Sequence, residues 1–222
     1  MKLKGLIDED FVNYKKPSMF ISTYICSFKC CDECGQAVCQ NLPLVSQPTI
    51  EVDNADLAVR YLNNDITHAV VIGGLEPFDD FADLDSFVTC FRSFCNDDIV
   101  IYTGYNQDEI KDYVDKLRWA HNLYIKFGRY IPNQQPHYDK VLGVKLASDN
   151  QKGVKIDMPR IIKNPDDEMF KEVQAAVKAN NGFCPCRLER TPDTKCPCKE
   201  FRNQQTEGEC NCGLYVKVQE DD

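Results

Sequence analysis

Apolar residues along this chain follow two alternating patterns. SMFISTYI, THAVVIGG, DIVIYTG and NLYIKFG are short, nearly unbroken apolar runs, the pattern of strands buried on both faces of a parallel sheet. Between them, apolar residues recur three and four apart. VDNADLAVRYLNN predicts a helix with Asp53 or Asn54 placed to cap it. FDDFADLDSFVTCFRSFC puts Phe78, Phe81, Leu84, Val88, Phe91 and Phe94 on one helix face, and QDEIKDYVDKLR predicts a further helix. This alternation predicts right-handed βαβ units and an α/β fold around a parallel sheet. Binding residues in such sheets collect beyond the carboxyl ends of the strands. Gly73-Gly74, Thr103-Gly104 and a first group of cysteines all fall at such ends.

The pattern changes after Ile156, which predicts a domain over residues 1–157 and a smaller, mainly α module over 158–222. DMPRIIKNPDD reads as a linker. Asn164 is the expected cap of a helix with Pro165 in its first turn and Gly182 beyond its end. Met169, Phe170, Val173, Ala176 and Val177 give that helix an apolar face, and LYVKV predicts a short strand after the last cysteines.

Composition narrows the class. With 43% hydrophobic and 27% charged residues, the 222-residue chain is globular rather than disordered. A formal net charge of -9 argues against a nucleic-acid surface, which needs a basic footprint. No stretch reaches the ~20 apolar residues of a membrane helix. The opening MKLKGLIDEDF lacks the apolar core of a secretory signal. The expected location is therefore the cytoplasm, where thiols stay reduced. Dense thiolates that tolerate oxygen poorly suit an anaerobic setting.

Eleven of the thirteen cysteines form two groups. Cys26, Cys30, Cys31, Cys34 and Cys39 lie near one end, and Cys184, Cys186, Cys196, Cys198, Cys210 and Cys212 form three Cys-x-Cys pairs near the other. Thiolates at this density select soft metal centres, iron–sulfur clusters above all. Cys90 and Cys95 read as structural thiols of the phenylalanine-rich helix. A zinc site built on Cys31-x2-Cys34 is the competing reading of the first group, since such knuckles are common.

Residues 18–157 resemble the radical S-adenosylmethionine enzymes, and among them the activating protein of anaerobic (class III) ribonucleotide reductase. Cys26-x3-Cys30 with Cys39-Gln40-Asn41 is similar to the family's three-cysteine loop. IGGLEPF resembles its Gly-Gly-Glu-Pro element, VIYTGY its Trp-Thr-Gly-Tyr strand end, and LASDNQKGVKI its Gly-Ser-x-Asn-Gln stretch. The resemblance implies a partial (β/α) barrel with Cys26, Cys30 and Cys39 holding a [4Fe-4S] cluster. Gly73, Gly74, Glu76 and Pro77 would bind S-adenosylmethionine. It also implies reductive cleavage to a 5′-deoxyadenosyl radical that installs a glycyl radical on the reductase. Two features depart from the pattern: eight residues separate Cys30 from Cys39 where the family has two, and Leu75 splits the Gly-Gly-Glu-Pro element. Cys26, Cys31 and Cys34 form the alternative trio.

The module over 158–222 resembles the catalytic subunit of ferredoxin:thioredoxin reductase, through Cys-Pro-Cys, Cys-Pro-Cys and Cys-x-Cys followed by Leu-Tyr. That likeness implies a second [4Fe-4S] cluster on Cys184, Cys196, Cys198 and Cys210. Cys186 and Cys212 would be a redox-active disulfide beside it. The family's last pair encloses a histidine where Asn211 stands here, and asparagine does not shuttle protons at neutral pH.

Together the two likenesses imply an oxidoreductase. It would combine a radical activase with a cluster-linked disulfide reductase and take electrons from ferredoxin or flavodoxin. Its targets would be an anaerobic ribonucleotide reductase or another glycyl-radical protein, and a thioredoxin-like protein. The alternatives are a ferredoxin-dependent disulfide reductase whose first domain is a degenerate docking scaffold, and a zinc-binding adaptor.

Overall fold

The unbroken apolar runs form the middle of a seven-stranded sheet. The structure is a computed structural model that describes residues 1–204 and 206–218. The chain divides into two units, Met1–Ile156 and Asp157–Asp222.

In the first unit β1 (Lys2–Asp10) pairs antiparallel with β2 (Ser18–Thr23). Two short helices, α1 (Lys29–Cys34) and α2 (Leu42–Val45), follow, and β3 (Ile50–Glu51) lies beside β1 at the sheet edge. Three strand–helix repeats come next in the chain: α3 (Asn54–Leu62) and β4 (Ala69–Gly73), α4 (Phe81–Phe94) and β5 (Asp98–Tyr102), then α5 (Lys111–Leu117) and β6 (Leu123–Phe127). A small hairpin of β7 (His137–Asp139) and β8 (Val144–Leu146) precedes β9 (Lys152–Ile156), which pairs antiparallel with β6. The strand order is β3-β1-β2-β4-β5-β6-β9, with β2, β4, β5 and β6 mutually parallel. Among the described residues no pairing joins β3 to β9, so this is an open mixed sheet with a parallel centre.

Burial on both faces explains the unbroken runs. Val70, Ile72, Ile99, Ile101 and Ile125 face the larger core with Leu84, Phe87 and Phe91 of α4. The alternate residues Ala69, Val71 and Val100 face a smaller core with Tyr14, Leu142 and Leu146. The buried face of α4 is Leu84, Phe87, Val88 and Phe91. Phe78 reaches the core from a 3-10 turn (Pro77–Asp80) before the helix, and Phe94 at its last turn is 44% exposed. The helix starts at Phe81 because the Asp80 carboxylate accepts the Asp83 N–H.

In the second unit β10 (Arg160–Lys163) arises from the segment read as a linker. There follow α6 (Asp167–Ala179), α7 (Lys199–Asn203), β11 (Gly208–Glu209) and β12 (Tyr215–Val218). The three strands form an antiparallel sheet in the order β10-β12-β11, so the module is mixed rather than mainly α. Isoleucines 161 and 162 suit an extended backbone, and pairing with β12 decides the outcome. The cap of α6 is Asp166, whose carboxylate accepts the N–H groups of Glu168 and Met169 at 3.0 Å each. Asn164 is buried instead, donating to Gly213 O at 2.7 Å and accepting from Asp166 N. Among the described residues no helix is long and apolar enough to cross a membrane.

Phe91 is fully buried against Tyr61 and Phe87. Phe91→Ala is therefore expected to cost about 3–5 kcal/mol in denaturant unfolding, while Phe94→Ala stays within about 1 kcal/mol.

Candidate metal centres

Four parallel strands end on one side of the sheet, and a cleft of about 670 Å³ opens there. Cys26, Cys30 and Cys39 all line it, as do Gly74 and Glu76. Cys31 and Cys34 do not, although both sit on α1. Gly73 and Pro77 are set back from the cleft. A Cβ on Gly73 would meet Tyr102 Cβ at 2.9 Å. Gly74 has φ +81, and a Cβ there would crowd Ser22 at 3.1 Å. The two glycines thus let β4 pass close to its neighbours and turn sharply at the cleft floor.

Glu76 is the buried acid of this site. Its Oε1 accepts from Thr103 Oγ1 at 2.7 Å and Phe78 N at 3.2 Å, and its Oε2 accepts from Gly104 N at 2.8 Å. Burial pushes its carboxyl up to about 7, and these three donors oppose the shift. Lys126 of β6 is equally buried. Its ammonium donates to Gly128 O at 2.8 Å and Thr103 O at 3.3 Å. Burial pushes it down to about 8, against the pull of Glu76 and Cys30.

The cysteine loop is tied to the strand ends. Asn41, two residues after Cys39, donates its amide to Gly74 O at 2.5 Å, and Glu76 N donates to Ile25 O at 2.9 Å. Burial raises the Cys26 thiol to about 11 and the Cys30 thiol to about 12, each with Cys39 as an electrostatic neighbour. Thiols in that state need a metal cation to become thiolates at neutral pH. The donor set is soft and the cleft is roomy, which fits an iron–sulfur cluster.

The second unit gathers its cysteines differently. Cys184, Cys198 and Cys210 are buried with Phe201 and Leu214, and Cys196 and Cys212 pack against them. Cys186 is exposed. The sulfurs run in a chain: Cys186 to Cys184 at 3.0 Å, Cys184 to Cys212 at 4.0 Å, Cys212 to Cys210 at 3.5 Å. Among the described residues Cys184, Cys186 and Cys212 are the one group of three metal-capable side chains whose donor atoms all lie within 4.8 Å. All thirteen thiols are free. Cys186 and Cys196 are each raised to about 11 by burial and neighbouring thiols. At Cys184 burial is outweighed by hydrogen bonds from Cys186 and Cys212, and its thiol is lowered. Cys212 is raised, mainly by burial.

Some residues in or beside the cleft lie outside the sequence motifs. Lys126 interrupts an apolar strand run, and a lysine inside a central strand is itself a signal. Arg129 and Glu109 carry no such mark. They meet in the fold as a bidentate pair at 2.6 and 2.7 Å, and Asp79 accepts from Ser27 N and Tyr105 Oη.

The chain matches the 4Fe-4S single cluster domain family over residues 17–151. No curated protein and no solved structure matches it.

Glu76 holds its proton more tightly folded than unfolded, so its ionisation destabilises the first unit as pH rises from about 4.5 through about 7. Chemical denaturation at pH 5 and pH 8 is expected to show this loss, up to about 3 kcal/mol. A Glu76→Ala chain is expected to lack that part of the pH dependence.

Proposed function

The chain belongs to the 4Fe-4S single cluster domain family, and from that premise we propose a radical S-adenosylmethionine activase with a C-terminal disulfide-reductase module. The observation that carries this reading is the cleft in which Cys26, Cys30 and Cys39 face the buried pair Glu76 and Lys126. Cys26, Cys30 and Cys39 would be the thiolates that hold the cluster. Glu76 accepts from the ammonium of a ligand head, and Lys126 supplies the opposite charge for its carboxylate. A buried acid and a buried base in one cleft match a zwitterion. Gly74 adds no side chain where that head must approach. The run of parallel strands β2, β4, β5 and β6 suits a partial (β/α) barrel of the radical type.

A [4Fe-4S] cluster held by Cys26, Cys30 and Cys39 would supply the one-electron reducing chemistry that breaks a carbon–sulfur bond of bound S-adenosylmethionine. That cleavage would give methionine and a 5′-deoxyadenosyl radical able to take hydrogen from a glycine of the target. That target is an anaerobic ribonucleotide reductase or another glycyl-radical protein in the cytoplasm, and ferredoxin or flavodoxin is the electron source.

In the second unit Cys184, Cys196, Cys198 and Cys210 hold a further [4Fe-4S] cluster, and Cys186 and Cys212 exchange with a disulfide of a thioredoxin-like protein. The burial of Cys184, Cys198 and Cys210 and the exposure of Cys186 support that division. Exchange needs an accessible sulfur, whereas a closed cluster needs sheltered ones. The close contact of Cys184, Cys186 and Cys212 favours one second reading. In it, thiol chemistry is the whole activity and the first unit serves as a docking scaffold.

Anaerobic purification is expected to give about eight irons and eight sulfides per chain, falling to about four in Cys26→Ser/Cys30→Ser/Cys39→Ser. Dithionite with S-adenosylmethionine is expected to yield 5′-deoxyadenosine from the parent chain and none from that variant. Eight irons without any 5′-deoxyadenosine would move the reading to the disulfide reductase. Zinc in place of iron would end both.

A further inference from the structure

The helix that carries Cys30 has no apolar footing. None of the six residues of α1 is buried, so the packing that fixes the sheet does little to fix this thiol. Polar links take over. Ser27 N donates to Asp79 at 2.5 Å just before the helix. Lys29 and Glu33, four apart, lie on one face of α1 and flank Cys30 in the chain. Glu33 Oε1 lies 3.1 Å from Arg129 Nε, and Lys29 Nζ lies 3.8 Å from Glu109 Oε1 and 4.5 Å over the Tyr105 ring. Arg129 and Glu109 complete the circuit through their bidentate pair. The Arg129 side chain is only 7% exposed, whereas Lys29 and Glu33 are 48% and 61% exposed.

We propose that Arg129 is a positioning residue for the first iron–sulfur centre. Through Glu33, and through Glu109 to Lys29, it holds one face of α1 and thereby the Cys30 thiol. Exposed ion pairs contribute little alone, because long side chains lose entropy and water screens them. Here both α1 charges meet a preorganised, partly buried Arg–Glu fork, which has already lost that freedom. Salt therefore reaches the Lys29 and Glu33 ends of the latch more readily than its middle. The inference rests on the reading of Cys30 as a cluster ligand.

The test uses the full chain, reconstituted anaerobically, in a Cys196→Ser/Cys198→Ser background that reports on the first centre. Iron release to a chelator is followed by absorbance, beside the EPR spectrum of the reduced centre and the melting temperature. Arg129→Gln is expected to release iron at least about tenfold faster with an altered EPR line shape, and Arg129→Lys to recover part of the loss. Glu33→Gln, at an exposed residue, is expected to speed release at an unchanged melting temperature. Added NaCl is expected to speed release from the parent and to have little effect on Arg129→Gln. Parental release and EPR in both Arg129→Gln and Glu33→Gln, while Cys30→Ala has lost the centre, would overturn the latch alone. A full centre in Cys30→Ala would overturn the ligand assignment and the latch with it.

Discussion

Parallel strands buried on both faces impose the constraint from which the first unit follows. β2, β4, β5 and β6 have no solvated face on which to carry chemistry, so most polar residues are displaced toward the strand ends. Because the strands run parallel, the four carboxyl ends open side by side. Residues far apart in sequence, Cys26, Glu76, Thr103 and Lys126, therefore become neighbours without any loop having to reach for another. Glu76 joins two of these ends directly, since its carboxylate takes N–H and O–H donors from the turns after β4 and β5.

The two cysteine groups obey opposite physical rules. In the first unit the sulfurs stand beside a large hydrocarbon core but are not part of it, and hydrogen bonds and ion pairs hold their loop. In the second unit sulfur dominates the apolar core: three of the five buried residues of that cluster are cysteines. On the proposed assignment, the first arrangement would leave room for a ligand next to the metal, and the second would close around its own and leave Cys186 exposed.

Much of this was legible in the chain, and what escaped did so for definite reasons. The central strands could be read because double-sided burial leaves an unbroken apolar run, as in Ala69–Gly73. Glu76 could be read from its glycine neighbours. Arg129 could not, since its meaning lies in Glu33 and Glu109, which only the tertiary fold brings to it. At α6 both Asn164 and Asp166 had cap chemistry, and the choice fell to Asp166 once Asn164 was needed to bind Gly213 O. β10 was hidden because a short strand with a polar end looks like a linker until its partner, β12, lies beside it. The spacing of the Cys-x-Cys pairs pointed to metal chemistry but not to the close approach of Cys184 to Cys186 and Cys212, at 3.0 and 4.0 Å.

A sulfur core has a consequence for how the chain matures. A hydrocarbon core needs no cofactor to assemble, whereas one built of Cys184, Cys198 and Cys210 around Phe201 and Leu214 would, as a cluster site, gain most of its stability only when metal displaces the thiol protons. On the proposed ligand assignment, the second unit is an iron-gated folding step appended to a first unit that needs no such permission. A cell short of iron would then hold chains finished at one end and unfinished at the other. Those chains would be open to proteolysis at the unfinished end, and the amount of intact protein would follow cluster supply rather than gene expression.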